Sequence, residues 1–131
     1  MDFTIEFGGG DPQDVTITLS GEADIADIVR CERELTSDER YRTGLAILCD
    51  CSRLQTDGIV HRATIELAAR PVSQRDVDRP ARAVAYVAAD EEAFADLTIW
   101  RAHLGGSKSN RRIFMSRQEA LDWLRQPAEG G

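Results

Sequence analysis

The sequence predicts an α/β fold, in which a mixed, mostly parallel sheet of about five strands is covered by about four helices. Three observations support it. Residues 3–7 and 15–19 alternate apolar and polar side chains, as half-buried strands do. Residues 45–49 and 83–89 are short and continuously apolar, which is typical of strands buried on both faces. Helical patterns separate the later strands, so the predicted order is ββαβαβαβα.

The first two strands are predicted to form an antiparallel hairpin, because the turn-forming residues 8–12 join them. The pattern then changes to a helical period, with Asp24 as the expected N-cap. The apolar positions of this first helix are Ile25, Ile28, Val29 and Leu35. The helix is expected to end near residues 37–38.

The second helix is predicted to run from about Gly58 to Ala69, after the strand at 45–49. Its expected inner stripe is Val60, Ala63 and Leu67. Pro71 is expected to end this helix, because the residue before a proline avoids the helical conformation. Residues 72–80 are therefore predicted to form a polar loop.

The third and fourth helices each follow a predicted strand and a capping residue. Asp90 is the expected N-cap of the third helix, whose inner stripe is Ala93, Leu97, Trp100 and Leu104. Residues 111–115 form the last strand. Ser116 and Glu119 then match a capping box at the start of the closing helix. The basic residues of the segment 105–112, together with Arg101, are expected to be solvated, or to contact an acidic partner or, weakly, anionic lipid.

Length and composition predict a single domain, residues 1–126, with a glycine-rich flexible tail at 127–131. The net charge is −7, which argues against nucleic-acid binding. The N-terminus has no basic region before an apolar one, and no apolar run is long enough to cross a membrane. Three cysteines, an odd number, favour reduced thiols in a cytoplasmic protein without stable membrane insertion.

Three stretches carry a resemblance to a known family: LAILCDCSRLQ, ARAVAYVAADEEAFADLTIWRA and RRIFMSRQEALDWL. Over residues 3–125 the chain resembles the bacterial SpoIIAA-like proteins, relatives of the STAS domains of anti-sigma factor antagonists. The resemblance implies a superhelix of βα units and a non-enzymatic function. Antagonist-type members dock onto a kinase-like partner and are switched by phosphorylation of a serine. Other relatives are thought to hold lipids or nucleotides.

The chain departs from the family at the segment that would carry the switch. That serine lies in an Asp-Ser-Ser-Gly-like motif at the start of the helix after the third strand. The corresponding residues here, 54–58, read LQTDG. Asp57 and Gly58 match, but no serine stands between them, and Thr56 is the nearest hydroxyl. Phosphorylation of Thr56 or Ser52 is left open.

The candidate binding or docking residues lie where the third strand is predicted to end. In open α/β sheets, ligands bind outside the carboxyl ends of parallel strands. The candidates are Asp50, Ser52, Thr56, Asp57, Gly58 and Ile59. The alternative is structural: Thr56 and Asp57 would cap the second helix, and Asp50 would be a turn residue.

A second candidate site is an apolar pocket between the third and fourth helices. Phe94, Trp100 and Trp123 would line it if the two helices part slightly. Ordinary core packing is the simpler explanation for both tryptophans.

The sequence matches metal-binding and catalytic patterns poorly. Cys49 and Cys51 give a Cys-x-Cys pair, which lacks the spacing and the further ligands of a zinc site. The simpler prediction places Cys49 in the core and Cys51 at a half-exposed strand end. A thiol paired with His61 would require the fold to bring them together. No metal, cofactor or catalytic residue is predicted.

The sequence therefore favours a non-enzymatic, STAS-like regulatory or docking domain with an unidentified protein partner. The alternative is a carrier or sensor of a small apolar or lipid-like ligand, and an enzyme ranks last. Homodimerisation is left open.

Overall fold

The computed structural model describes residues 1–8, 11–59, 62–104 and 110–126. Within this range the strands are β1 (Asp2–Phe7), β2 (Val15–Glu22), β3 (Ala46–Gln55), β4 (Ala83–Ala88) and β5 (Asn110–Phe114). The helices are α1 (Ile25–Ser37), α2 (Arg62–Asp78), α3 (Glu91–Ala102) and α4 (Arg117–Arg125), and Asp57–Ile59 form a single 3-10 turn. The predicted order of strands and helices is confirmed.

The strands form one sheet in the order β1-β2-β3-β4-β5. β1 and β2 pair antiparallel, as the hairpin pattern predicts. The remaining neighbours pair parallel, with Cys49 of β3 opposite Tyr86 of β4 and Ile113 of β5 opposite that same tyrosine. The prediction of a mostly parallel mixed sheet is therefore confirmed.

The helices divide unequally between the two faces of the sheet. Because β2 to β5 follow one another in chain order, right-handed crossovers place α1, α2 and α3 on one face. The larger core lies there and includes Leu35, Ile65 and Leu97. α4 follows the last strand and does not connect two strands, so the handedness of crossovers does not fix its position. It packs against the other face of the sheet. Ala120 and Leu124 bury themselves there against the β3 and β4 side chains.

Three predicted helix starts agree with the structure. The Asp24 carboxylate accepts hydrogen bonds from the backbone N–H groups of Ala26 and Asp27. Asp90 accepts from the N–H of Ala93 at 2.9 Å. At α4 the Ser116 hydroxyl accepts from the N–H of Glu119 at 3.3 Å. Each bond satisfies a donor that the first helical turn leaves without a partner.

The predicted end of the second helix is wrong. α2 continues through Pro71 to Asp78, so most of the predicted loop 72–80 is helical. Proline removes one helical hydrogen bond, but packing of the following turns outweighs that loss. The buried stripe also differs from the prediction, because Leu67 is 54% exposed. Among the described side chains of α2, the apolar ones that face the core are Ile65, Ala68, Ala69 and Val72.

The third strand extends further than predicted. The apolar run 45–49 suggested an end near Asp50, but β3 continues to Gln55. β2 pairs with the added residues, from Ser20 opposite Arg53 to Glu22 opposite Gln55. The polar side chains of this segment belong to a strand that extends past the end of β4, which stops at Ala88.

No helix in the described part of the chain is both long and apolar enough to cross a membrane. The predicted tail, 127–131, lies outside the described residues.

Candidate functional site

An open cleft lies at the edge of the sheet where the parallel strands end. One wall is residues 52–57 of β3 and the turn after it, and the volume is about 690 Å³. The other wall consists of Ala89, Asp90, Glu92, Ala93 and Asp96. We call it the exit-edge cleft. Four carboxylates line it: Asp57, Asp90, Glu92 and Asp96. Arg53 is the single basic residue among the described residues of its wall, so the cleft is acidic.

Thr56 joins the two walls of the exit-edge cleft. Its hydroxyl donates a 2.7 Å hydrogen bond to the Asp96 carboxylate, and the side chain is buried. Thr56 is thus a structural link between the end of β3 and α3. A phosphate on Thr56 would replace this bond with repulsion from Asp96, because both groups are negative.

Asp50 does not line the exit-edge cleft. It lies within β3, and its side chain points to the face that α4 covers, where Arg117 donates a 2.9 Å hydrogen bond to it. The backbone N–H of Ser52 donates to the other carboxylate oxygen at 2.9 Å. Burial alone would raise the pKa of Asp50, but hydrogen bonds from Ser52 and the charge of Arg117 outweigh it, so the pKa is lowered.

The remaining docking candidates lie in different parts of the structure. Asp57 and Ser52 are exposed at the exit-edge cleft, and Gly58 lies in the 3-10 turn beyond it. Ile59 is only 5% exposed and belongs to the larger core, so it offers no exposed apolar surface for docking. Val60 and His61 lie outside the described residues.

The three predicted pocket residues are not brought together. Trp100 is buried on the face covered by α1, α2 and α3, and its Nε1–H donates to the Tyr86 hydroxyl. Trp123 packs on the opposite face, with its ring centroid 5.7 Å from that of Phe114. Phe94 is 38% exposed on α3. The predicted pocket requires α3 and α4 to be neighbours, whereas the sheet lies between them.

The thiols lie in the core. Cys49 and Cys51 point to the same face of β3 with their sulfurs 3.8 Å apart, and Cys51 is buried rather than half-exposed. A hydrogen bond with Cys51 and burial raise the pKa of Cys49, and burial raises that of Cys31 to about 12. The described residues contain no group of three or more metal-ligating side chains placed to hold an ion.

Four buried charged side chains form a series of ion pairs that joins α1 to α2 and α2 to the sheet. Arg75 of α2 donates to Glu32 of α1, and also to the Tyr41 hydroxyl at 3.1 Å. Burial raises the pKa of Glu32, which the Arg75 charge only partly offsets. The next residue, Asp76, accepts two hydrogen bonds from Arg111 of β5, at 2.6 and 2.9 Å. The four charged side chains are all at most 8% exposed.

Sequence reasoning missed these pairs, although the spacing carries a signal for them. Glu32 lies four residues after Ile28 and three before Leu35, on the apolar stripe of α1. Asp76 follows Val72 by four residues, and Arg111 precedes the buried Ile113 by two. Because the second helix was predicted to end at Pro71, Asp76 was placed in a loop, and its burial on the same stripe as Val72 was not predicted. The expectation that Arg111 is solvated was likewise wrong.

Comparison with known proteins identifies the architecture. No family profile matches the chain, and the search of curated proteins found no match. The chain is similar to the crystal structure of an uncharacterised DUF3478-family protein with a SpoIIAA-like fold from Shewanella loihica PV-4. The TM-score is 0.53 and the identity is 19%, over 94% of this chain and 92% of that one.

The chain has a SpoIIAA-like fold. This confirms the sequence-based resemblance at the level of fold. At this identity the likeness concerns the SpoIIAA-like architecture and not the residues of the exit-edge cleft.

Proposed function

We propose that this protein is a non-enzymatic, STAS-like docking domain that binds a basic segment of a partner protein in the exit-edge cleft. The observation that supports this proposal is the cleft itself, which is open, acidic and built on the ends of two parallel strands. A segment rich in Arg or Lys would complement its charge, and electrostatic complementarity favours both recognition and fast association.

The placement of individual side chains supports the same proposal. Asp57 and Glu92 are exposed, so a partner can reach both carboxylates. The Thr56–Asp96 hydrogen bond holds the two walls together. The Thr56–Asp96 contact therefore fixes the position of the two walls, whereas the Asp57 and Glu92 carboxylates face solvent. Such a cleft can bind a partner with little rearrangement of its own backbone.

The distribution of perturbed groups favours binding over catalysis. Active sites concentrate strongly shifted titratable groups in a cleft. In this chain the buried groups with raised pKa include Cys31, Glu32 and Cys49, which lie beneath the helices and outside the exit-edge cleft.

A photo-crosslinking amino acid at Gln55, which is exposed on the cleft wall, tests the proposal in the protein's own host. Covalent adducts would be identified by mass spectrometry, and the crosslinked peptide would be sequenced. We expect one dominant partner whose crosslinked segment is basic. The Asp57→Arg/Glu92→Arg double variant should lose this adduct, because two attractive charges become repulsive.

The matched control is Glu34→Arg/Glu39→Arg, which makes the same change of charge on exposed residues at the other side of the molecule, at and after the end of α1. It should retain the adduct. Equal loss in both double variants would show a general effect of net charge and would contradict docking in the cleft, as would an acidic or apolar crosslinked segment.

A further inference from the structure

A second space lies beneath α1, α2 and α3, and Leu54 is the one described residue that lines both this space and the exit-edge cleft. It is a cavity of about 90 Å³ between these helices and the sheet. It differs from the predicted pocket, since Trp100 is the only one of those three aromatic residues that lines it. Well-packed cores contain few voids larger than a water molecule, so a cavity of this size is a distinct feature of the core.

The wall of this cavity is apolar. It includes isoleucine, leucine and valine side chains and all three cysteines of the chain. Its one carboxylate among the described residues, Glu32, is already bonded to Arg75. The Tyr86 oxygen accepts hydrogen bonds from Arg111 and Trp100. The polar groups are therefore engaged, and the remaining surface suits an uncharged ligand.

The cavity has an identifiable mouth. Leu19 and Ile28 are partly exposed, and Met1 is exposed through its backbone only, whereas the other described residues of the wall are buried. These three residues come from the start of the chain, β2 and α1, so they mark one side of the molecule. The Met1 ammonium bonds Asp27 of α1 at 3.1 Å, which holds Met1 at this opening.

We infer that this cavity binds one small, uncharged, apolar molecule of roughly xenon to benzene size, which enters between Met1, Leu19 and Ile28. Apolar cavities of about 150 Å³ in other proteins stay dry and bind benzene or xenon. A cavity of about 90 Å³ is smaller, so it suits the lower part of that size range. This site is independent of docking at the exit-edge cleft.

Benzene and dissolved xenon, each titrated into the intact chain, test this inference by methyl NMR. We expect saturable shifts in the methyl signals of cavity residues such as Ile17, Ile47 and Leu97, and a melting temperature that rises with ligand concentration. Benzoate should cause neither change, because its carboxylate would be buried beside Glu32 without a partner.

A pair of matched variants in β4 locates the site. Val84 lines the cavity, whereas Val87 faces α4, and each is 4% exposed. Val84→Ile places a methylene in the cavity and should weaken the binding of xenon and of benzene by about tenfold or more. Val87→Ile makes the same change on the opposite face and should leave the affinity unchanged.

Val72→Leu fills the cavity from α2 and replaces Val84→Ile if that variant fails to fold. Three results would overturn the inference: no saturable methyl shifts with either probe, equal weakening by Val84→Ile and Val87→Ile, or binding of benzoate as tight as that of benzene.

Discussion

Asp76 of α2 and Arg111 of β5 form a bidentate ion pair, with N–O distances of 2.6 and 2.9 Å. Asp76 is fully buried, and Arg111 is 5% exposed. The pair ties the last turns of α2 to the edge strand of the sheet. It is one reason why the helix continues beyond Pro71, since an unpaired charge of either sign would be costly at this depth.

Asp76→Asn should lower the free energy of unfolding by about 3 kcal/mol, because it removes the carboxylate charge that accepts two hydrogen bonds from the buried Arg111 guanidinium. Urea denaturation of both proteins measures the difference. Asp78→Asn is the control: Asp78 is exposed two residues further on and accepts a bond from Gln74. A similar small loss in both variants would contradict a structural role for the ion pair.

Pro71→Ala should stabilise the protein by about 1–3 kcal/mol, because it restores an N–H donor in the interior of α2 and removes the clash of the proline ring. Thermal and urea unfolding would both report the gain. Pro80→Ala, just after α2, should give no such gain. A loss of stability in Pro71→Ala would mean that the proline is required by the path of the helix.

Thr56→Val should lower stability by about 1–2 kcal/mol, because it removes the hydrogen bond to the Asp96 carboxylate without changing the side-chain shape. Thr98→Val is a matched control on α3, where the exposed hydroxyl bonds only the carbonyl of its own helix. If chemical denaturation gives equal losses for the two variants, Thr56 does not link β3 to α3 in the way the distance indicates.

Asp50→Asn should destabilise the protein at neutral pH by about 1 kcal/mol, an amount typical of partly exposed ion pairs. The folded-state pKa of Asp50 is lowered, so the unfolded chain binds its proton more readily. The contribution of Asp50 is therefore complete above the unfolded pKa of about 3.9 and is lost as the pH falls through the folded value.

Urea unfolding over a series of pH values measures this dependence. The wild type and Asp50→Asn should differ at neutral pH and converge at acidic pH, where the wild-type carboxyl is protonated too. Arg117→Gln removes the same ion pair from the other side and should show the same convergence. A difference that stays constant with pH would show that the charge of Asp50 does not contribute.

Much of the architecture was predictable because it depends on local spacing. Alternation over residues 3–7 and 15–19 predicted the hairpin, and short apolar runs predicted the central strands. Asp24, Asp90 and Ser116 marked helix starts, because a cap bonds N–H groups two or three residues away. Thr56 and Asp57 were recognised as part of the strand-end region, but Asp90, Glu92 and Asp96 were not, and Asp50 and Ile59 were wrongly grouped with it.

The amino-acid sequence by itself determined the order of strands and helices, the starts of α1, α3 and α4, and the buried positions of most strands and helices, since these follow from contacts within a few residues. Only the tertiary structure decided that α2 passes through Pro71, that β3 continues to Gln55, and that Trp100 and Trp123 lie on opposite faces. It also joined Asp76 to Arg111 across 35 positions. Such contacts depend on which elements become neighbours in space, and packing energy between distant segments outweighs the local preferences that a sequence pattern records.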